Sequence, residues 1–270
     1  MSNRLGFAHT HLFASFPPYR AVSIAAPVFL CVAALGFFLS PRTTHPAYSG
    51  NAADEQVCAS TDDPNEIIAA CSRLIEAGTQ SPHDVGVDYD RRGSAYLHEN
   101  QFGPAITDLT AAIQAIPNDA NAYVDRADAE GNEGDLQAVL RDSSAALQID
   151  PKNSNALTNE AEANLQLGYY DKAVQAATAG INLAPTANLY SIRGAAYGHE
   201  NQFTQSIQDF TTAISLNPTD ESYYESRGVS EYQSGDNTDA INDETTALRM
   251  NPNDANAQST LQAAQKKAGQ

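Results

Sequence analysis

Two copies of the string His-Glu-Asn-Gln-Phe, beginning at His98 and His199, set an imidazole beside a carboxylate, the pairing used in acid–base catalysis and metal ligation. Their placement argues against both uses. The copies occupy equivalent places in units that recur along the chain, so in an elongated stack they stand on the order of tens of ångströms apart, far beyond the ~2 Å bonds of a shared metal. No nucleophile elbow, phosphate loop, zinc-ligand spacing or Ser/His/Asp grouping accompanies them. The chain is therefore expected to be non-catalytic, with no cofactor and no metal, and its recurrent charged residues to serve packing and recognition.

A second charged pattern is stronger. An Arg stands 25 positions before a recurring proline in four units (Arg92, Arg126, Arg193, Arg227), and an Asp stands nine before it in the same four (Asp108, Asp142, Asp209, Asp243). The third unit has lost both together and carries Glu160 and Ala176. A pair that vanishes as a pair behaves as a packing device, because a half-buried guanidinium needs a planar acceptor. Each Arg is expected to reach an Asp on its partner helix or a neighbour's. On this reading Asp209→Leu, which strands a guanidinium, costs more than Arg193→Met.

The elements that position these residues follow from the prolines. Pro117, Pro151, Pro185, Pro218 and Pro252 recur at intervals of 34, 34, 33 and 34 residues. A bulky residue lies 28 before each (Tyr89, Tyr123, Leu157, Tyr190, Tyr224), and a small one 24 before (Gly93, Ala127, Ala161, Gly194, Gly228). A second small residue lies five before (Ala112, Ala146, Gly180, Ala213, Ala247). Small residues facing bulky ones allow two helices to approach to about 8–10 Å, so each unit reads as a helix hairpin closed by its proline. The shortened interval predicts that the stack is least regular between Gly180 and Leu189.

The strings YDRRGSAY…AITDLTAAIQAIP and YSIRGAAY…SIQDFTTAISLNP carry a resemblance to the tetratricopeptide repeat (TPR) family over about residues 85–254. It implies an all-α fold, a right-handed superhelical solenoid of five hairpins (about 86–119, 120–153, 154–186, 187–220 and 221–254). A capping helix is expected over 255–270, where Lys266 and Lys267 suit a helix C-terminus. The stretch CAS…DPNEIIAACSRLIEAG, within 58–84, reads as a lone helix covering the first hairpin and looks like the leader of exported bacterial TPR proteins.

The N-terminus differs in kind. Residues 1–20 form a basic region, and Ala21 to Leu39 carries no charge. At ~1.5 Å per residue that run spans about 28 Å, close to a bilayer core of ~30 Å. It reads as a transmembrane anchor or the core of a signal peptide, placing the repeats in the periplasm, with residues 40–57 a flexible tether. Cys58 and Cys71, in that oxidising compartment, are candidates for a disulfide; two unrelated buried thiols are the alternative.

Charge narrows the partner. The first 51 residues contain three Arg and no acid, which leaves 12 basic against 33 acidic residues in the remainder, a net of −21. Nucleic acid is excluded by repulsion. Acidity suits a basic peptide or protein, and equally suits simple solubility. The only membrane contact expected is through the N-terminal helix.

In TPR proteins the first helices of the hairpins line a concave groove. Helical counting places Asp90, Ser94 and Leu97 there, then Asn121, Val124 and Asp128, then Asn155, Thr158 and Glu162, then Asn188 and Ser191, then Ser222, Glu225 and Tyr232. The resemblance thus implies protein binding. The set lacks the Lys and Arg with which family members grip a carboxylate tail, and it suits a partner offering Lys or Arg plus apolar side chains. Two functions remain: an interaction scaffold in the bacterial cell envelope, or a structural element that assembles with copies of itself. The oligomeric state is not readable from sequence.

Overall fold

A computed structural model describes residues 51–269. The apolar run at 21–39 lies outside them. Among the described residues the fold is entirely α-helical, and no helix is long and apolar enough to cross a membrane. Five hairpins pair α3 (Pro82–His98) with α4 (Phe102–Ala115), α5 (Ala120–Glu133) with α6 (Leu136–Ile149), and α7 (Ser154–Gln166) with α8 (Tyr170–Leu183). They continue with α9 (Ala187–His199) and α10 (Phe203–Leu216), then α11 (Glu221–Ser234) and α12 (Asn237–Met250). Each second helix also packs on the first helix of the next hairpin, and successive first helices touch along one face. α13 (Ala255–Ala268) takes the place of a first helix and packs on α11 and α12.

Local sequence sets these boundaries. Side-chain oxygens of Ser81, Asp119, Asn153, Thr186, Asp220 and Asp254 accept from backbone N–H groups at the first turns, satisfying donors that a helix start leaves open. Inside every hairpin the chain turns through one left-handed residue, at Asn100, Gly134, Gly168, Asn201 and Gly235. Asn tolerates that conformation best after glycine, which explains the two His-Glu-Asn strings as turn signals.

Each hairpin is centred on a contact between the small residue 24 before its proline and the residue eight before it. A Cβ on Gly93 would come within 2.7 Å of Leu109 Cγ, and one on Gly194 within 3.2 Å of Phe210 ring carbons. Where the small residue is alanine, its counterpart shrinks to Ser143 or Ala177, so the interior volume is conserved.

Two sequence expectations change. Residues 51–57 are not tether: they belong to α1 (Asn51–Ser60), which pairs with α2 (Pro64–Ala77) and also meets α3. The leader is thus a whole extra hairpin rather than a lone helix. What holds α1 is polar and covalent, and so gave no apolar periodicity: buried Asp54 accepts from Arg73, and Cys58 is joined to Cys71 by a disulfide inside a small cluster with Ala70 and Leu74. Beside it Asp88, pushed above the usual carboxylate range by burial, accepts from Gln80. From Gly180 to Leu189 the chain lacks the turn that the other connections between hairpins contain. The connection is one residue shorter, and Leu189 takes up the space over Gly180, where a Cβ would meet it at 2.9 Å.

Because the disulfide closes a short loop, Cys71→Ser is expected to lower the unfolding free energy by about 2–3 kcal/mol. Amide exchange should rise in α1 and α2 and stay unchanged beyond α5. Unchanged exchange in α1 would show that the helix is held without the bond.

Candidate functional site

The Arg and Asp residues meet in all four units. Arg92 Nε and Nη2 donate to Asp108 at 2.6 and 2.9 Å, and Arg126, Arg193 and Arg227 fork in the same way onto Asp142, Asp209 and Asp243. Each guanidinium stays charged, its pKa raised first by that bidentate bond. Tyr89, Tyr123 and Tyr190 lie 5.5–5.7 Å from the guanidinium of their own repeat. The remaining Nη1 reaches backward, to Ser72, Thr110, Thr178 and Thr211 on the preceding second helix. One Arg therefore ties three helices. The backward acceptor escaped sequence reading although it is periodic: a hydroxyl stands seven before each proline (Thr110, Ser144, Thr178, Thr211, Thr245).

On the concave side, Leu97, Asp128, Thr158, Glu162 and Asn188 come together around a cavity of about 630 Å³. Ala127, Leu136, Val139 and Ala163 form its apolar wall, and no Lys or Arg lines it. Asp90 and Ser94 lie one repeat earlier beside Asp125, which accepts from the Ser94 hydroxyl. Asn159 donates to Asp128 across the α5–α7 contact. Asp125 and Asn159 thus belong to the face but were not read from the sequence. They sit one position after the residues chosen by counting.

These carboxylates are half-buried and crowded. Burial, then the charges of Asp119 and Asp125, push Asp90 up to about 7. Asp90 Oδ1 is buried without a hydrogen-bond partner. Burial pushes Asp128 up to about 6, against the bond from Asn159, and raises Asp125 and Glu162 as well.

Other expected groove residues do not line this cavity. Val124 is 4% exposed and packs with Ala146 and Ala156 in the interior. Its face of α5 is turned inward because small residues on α6 and α7 leave room for it. Tyr232 is covered by the capping helix, with Lys267 Nζ 3.9 Å from its ring centre. Glu225, pushed up to about 7 by burial and then by Asp254, faces the start of the same helix. The Ser222 and Ser191 hydroxyls bond locally, to Asp220 and to the Asn188 carbonyl. Asn121 and Asn155 remain exposed at the first turns of α5 and α7. The concave site is therefore concentrated on α3, α5 and α7.

Residues 187–220, the hairpin of α9 and α10, match the tetratricopeptide repeat family model, and the other four hairpins repeat its helix pairing and left-handed turn. Solved structures with this architecture include MamA from Desulfovibrio magneticus RS-1, at 20% identity and a TM-score of 0.58, covering 65% of this chain and 98% of that one. YrrB, described as a TPR protein with an unusual peptide-binding site, aligns at 13% identity and a TM-score of 0.61, covering 71% and 97%. A Parabacteroides merdae ATCC 43184 repeat protein aligns at 18% identity and a TM-score of 0.62, covering 77% and 82%. No functionally curated protein matches the sequence. At these identities the likeness establishes the fold; proteins built on it are in general protein-interaction scaffolds.

Proposed function

We propose that the chain is a non-catalytic recognition scaffold of the bacterial cell envelope, whose concave face holds a segment of a partner protein rich in Lys or Arg beside apolar side chains. The observation that carries this reading is the apolar-walled cavity rimmed by Asp128 and Glu162, with Asp125 on the same helix as Asp128, Asp90 one repeat away, and no basic residue among its lining. A Lys or Arg side chain lays its apolar stem along such a wall and brings its charge to the rim. The apolar run at 21–39 and the Cys58–Cys71 disulfide support the envelope location and an anchored or exported chain.

The raised carboxylates give the reading a pH signature. Groups held near 6 to 7 carry protons that a cationic ligand must displace, so affinity is expected to rise as pH increases from 5.5 to 7.5. Fluorescence anisotropy with basic, neutral and acidic peptides of equal length tests this. Binding of the basic set about tenfold tighter at the higher pH, flattened in Asp128→Asn, is the expected result. Equal binding of all three sets would sink it. Sedimentation of the full chain separates the competing reading, since copies that assemble through their ends associate with rising concentration and need no peptide.

A further inference from the structure

The four arginine ties divide the solenoid unequally. They join α2 to α3 and α4, α4 to α5 and α6, α8 to α9 and α10, and α10 to α11 and α12. The tie from α6 to α7 and α8 is missing, because Glu160 replaces the Arg and Ala176 the Asp. Ser144 still stands on α6 at the position of the backward acceptor.

Two further features coincide there. The interior between α7 and the preceding hairpin is built of small residues, with Val124, Ala146 and Ala156 in one cluster and Ala127, Val139 and Ala163 in another, whereas Ala161 on the other side of α7 packs with Leu189 and Ile192, and the first hairpins pack around Leu109 and Ile113. Less apolar area removed from water means a weaker hold. In addition, Ser143 Oγ on α6 and Asn164 Oδ1 on α7 are buried without a hydrogen-bond partner, in side chains 0% and 2% exposed. Unpaired buried polar atoms lower the free energy needed to open the region around them. The concave cavity lies across the same junction, with Asp128 on α5 and Thr158, Asn159 and Glu162 on α7.

We propose that the solenoid is two tied blocks, 51–149 and 170–269, hinged through α7, and that flexing there widens or narrows the concave cavity around its ligand. The proposal rests on the concave face being the binding site. The missing tie between α6 and α7 leaves the Asn159 to Asp128 bond as the polar link from α5 to α7 beside the cavity, so one junction serves as both hinge and binding seat.

Hydrogen exchange of the free full-length chain tests the hinge without any partner. Amides of α6 and α7 are expected to exchange about tenfold faster than their equivalents in α4–α5 and α8–α9, reflecting opening at the untied junction. The double substitution Glu160→Arg with Ala176→Asp supplies the missing fork, with Ser144 as third acceptor, and should slow exchange in α6 to α8 toward the level of the neighbouring junctions. Equal exchange at all three junctions of the unsubstituted chain would overturn the hinge. So would unchanged exchange in the double variant with its helical content intact. Failure of the peptide experiment leaves these outcomes untouched, so the two readings fail separately.

Discussion

Replacing Glu244 with Leu is expected to stabilise the protein by about 2 kcal/mol or more at pH 8, an unusual gain for one substitution. Glu244 is 0% exposed, and neither carboxylate oxygen has a hydrogen-bond partner. It occupies the hairpin-centre position filled by Leu109 and Phe210 in other repeats, over Gly228, where a Cβ would meet Oε1 at 2.9 Å. The internal copies therefore show that a bulky apolar side chain fits over a glycine there. Burial, then the charges of Glu225, Asp254, Asp243 and Glu231, push Glu244 up to about 9. Glu231, buried four residues after Arg227, is pushed up to about 8 in the same hairpin, first by burial.

The sign of the pH effect follows. Both carboxyls ionise near 4.5 in the unfolded chain and near 8 or 9 in the folded one. Their protonated forms are thus favoured by the fold, the stability this contributes is fully present below about pH 4.5, and it is lost as pH rises toward 9. Thermal unfolding of the full chain between pH 5 and 9 should show a midpoint that falls with pH, with a shallower slope in Glu244→Leu. A parallel slope in the two proteins would mean that Glu244 is hydrated in solution.

Breaking one arginine tie gives the second large effect. Removing either partner of Arg193 and Asp209 is expected to cost about 3–5 kcal/mol, and removing both by Arg193→Met with Asp209→Leu substantially less than the sum. Burial reverses the order expected from sequence. The Asp209 side chain is 8% exposed and has no polar partner other than Arg193, whereas Arg193 is 18% exposed and keeps Thr178 and Tyr190 after its acid is gone. Arg193→Met is therefore the heavier loss. Denaturant unfolding of the three variants tests the coupling; additive losses would mean that the fork contributes no more than two separate side chains.

The sequence made the hairpins legible because proline, small and bulky residues recur at fixed offsets, and any internal alignment exposes them. The arginine forks were legible for a different reason: unit three changes both members at once. Two periodic signals were equally present and passed unread. One is the hydroxyl at Thr110 and its equivalents, the other the reciprocal sizes of Gly93 with Leu109 and Ala127 with Ser143. α1 was illegible because its attachment is a disulfide and an ion pair, neither of which imposes helical periodicity. The groove was half legible. Counting at 3.6 residues per turn agrees with the cavity lining at Asp128, Thr158 and Glu162. It fails at Val124, where small neighbours admit the side chain to the interior, and at Tyr232, where α13 covers it.

The most direct test of recognition by the concave face is photocrosslinking from position 158 in the full chain, expressed in its native host, with the captured peptide sequenced. Thr158 lines the cavity between Asp128 and Glu162 without belonging to the acidic set. A single captured segment from another protein, bearing Lys or Arg next to apolar residues and lost in Asp128→Asn with Glu162→Gln, is the result expected. Crosslinks confined to other copies of this chain, or to an acidic segment insensitive to those substitutions, would contradict it.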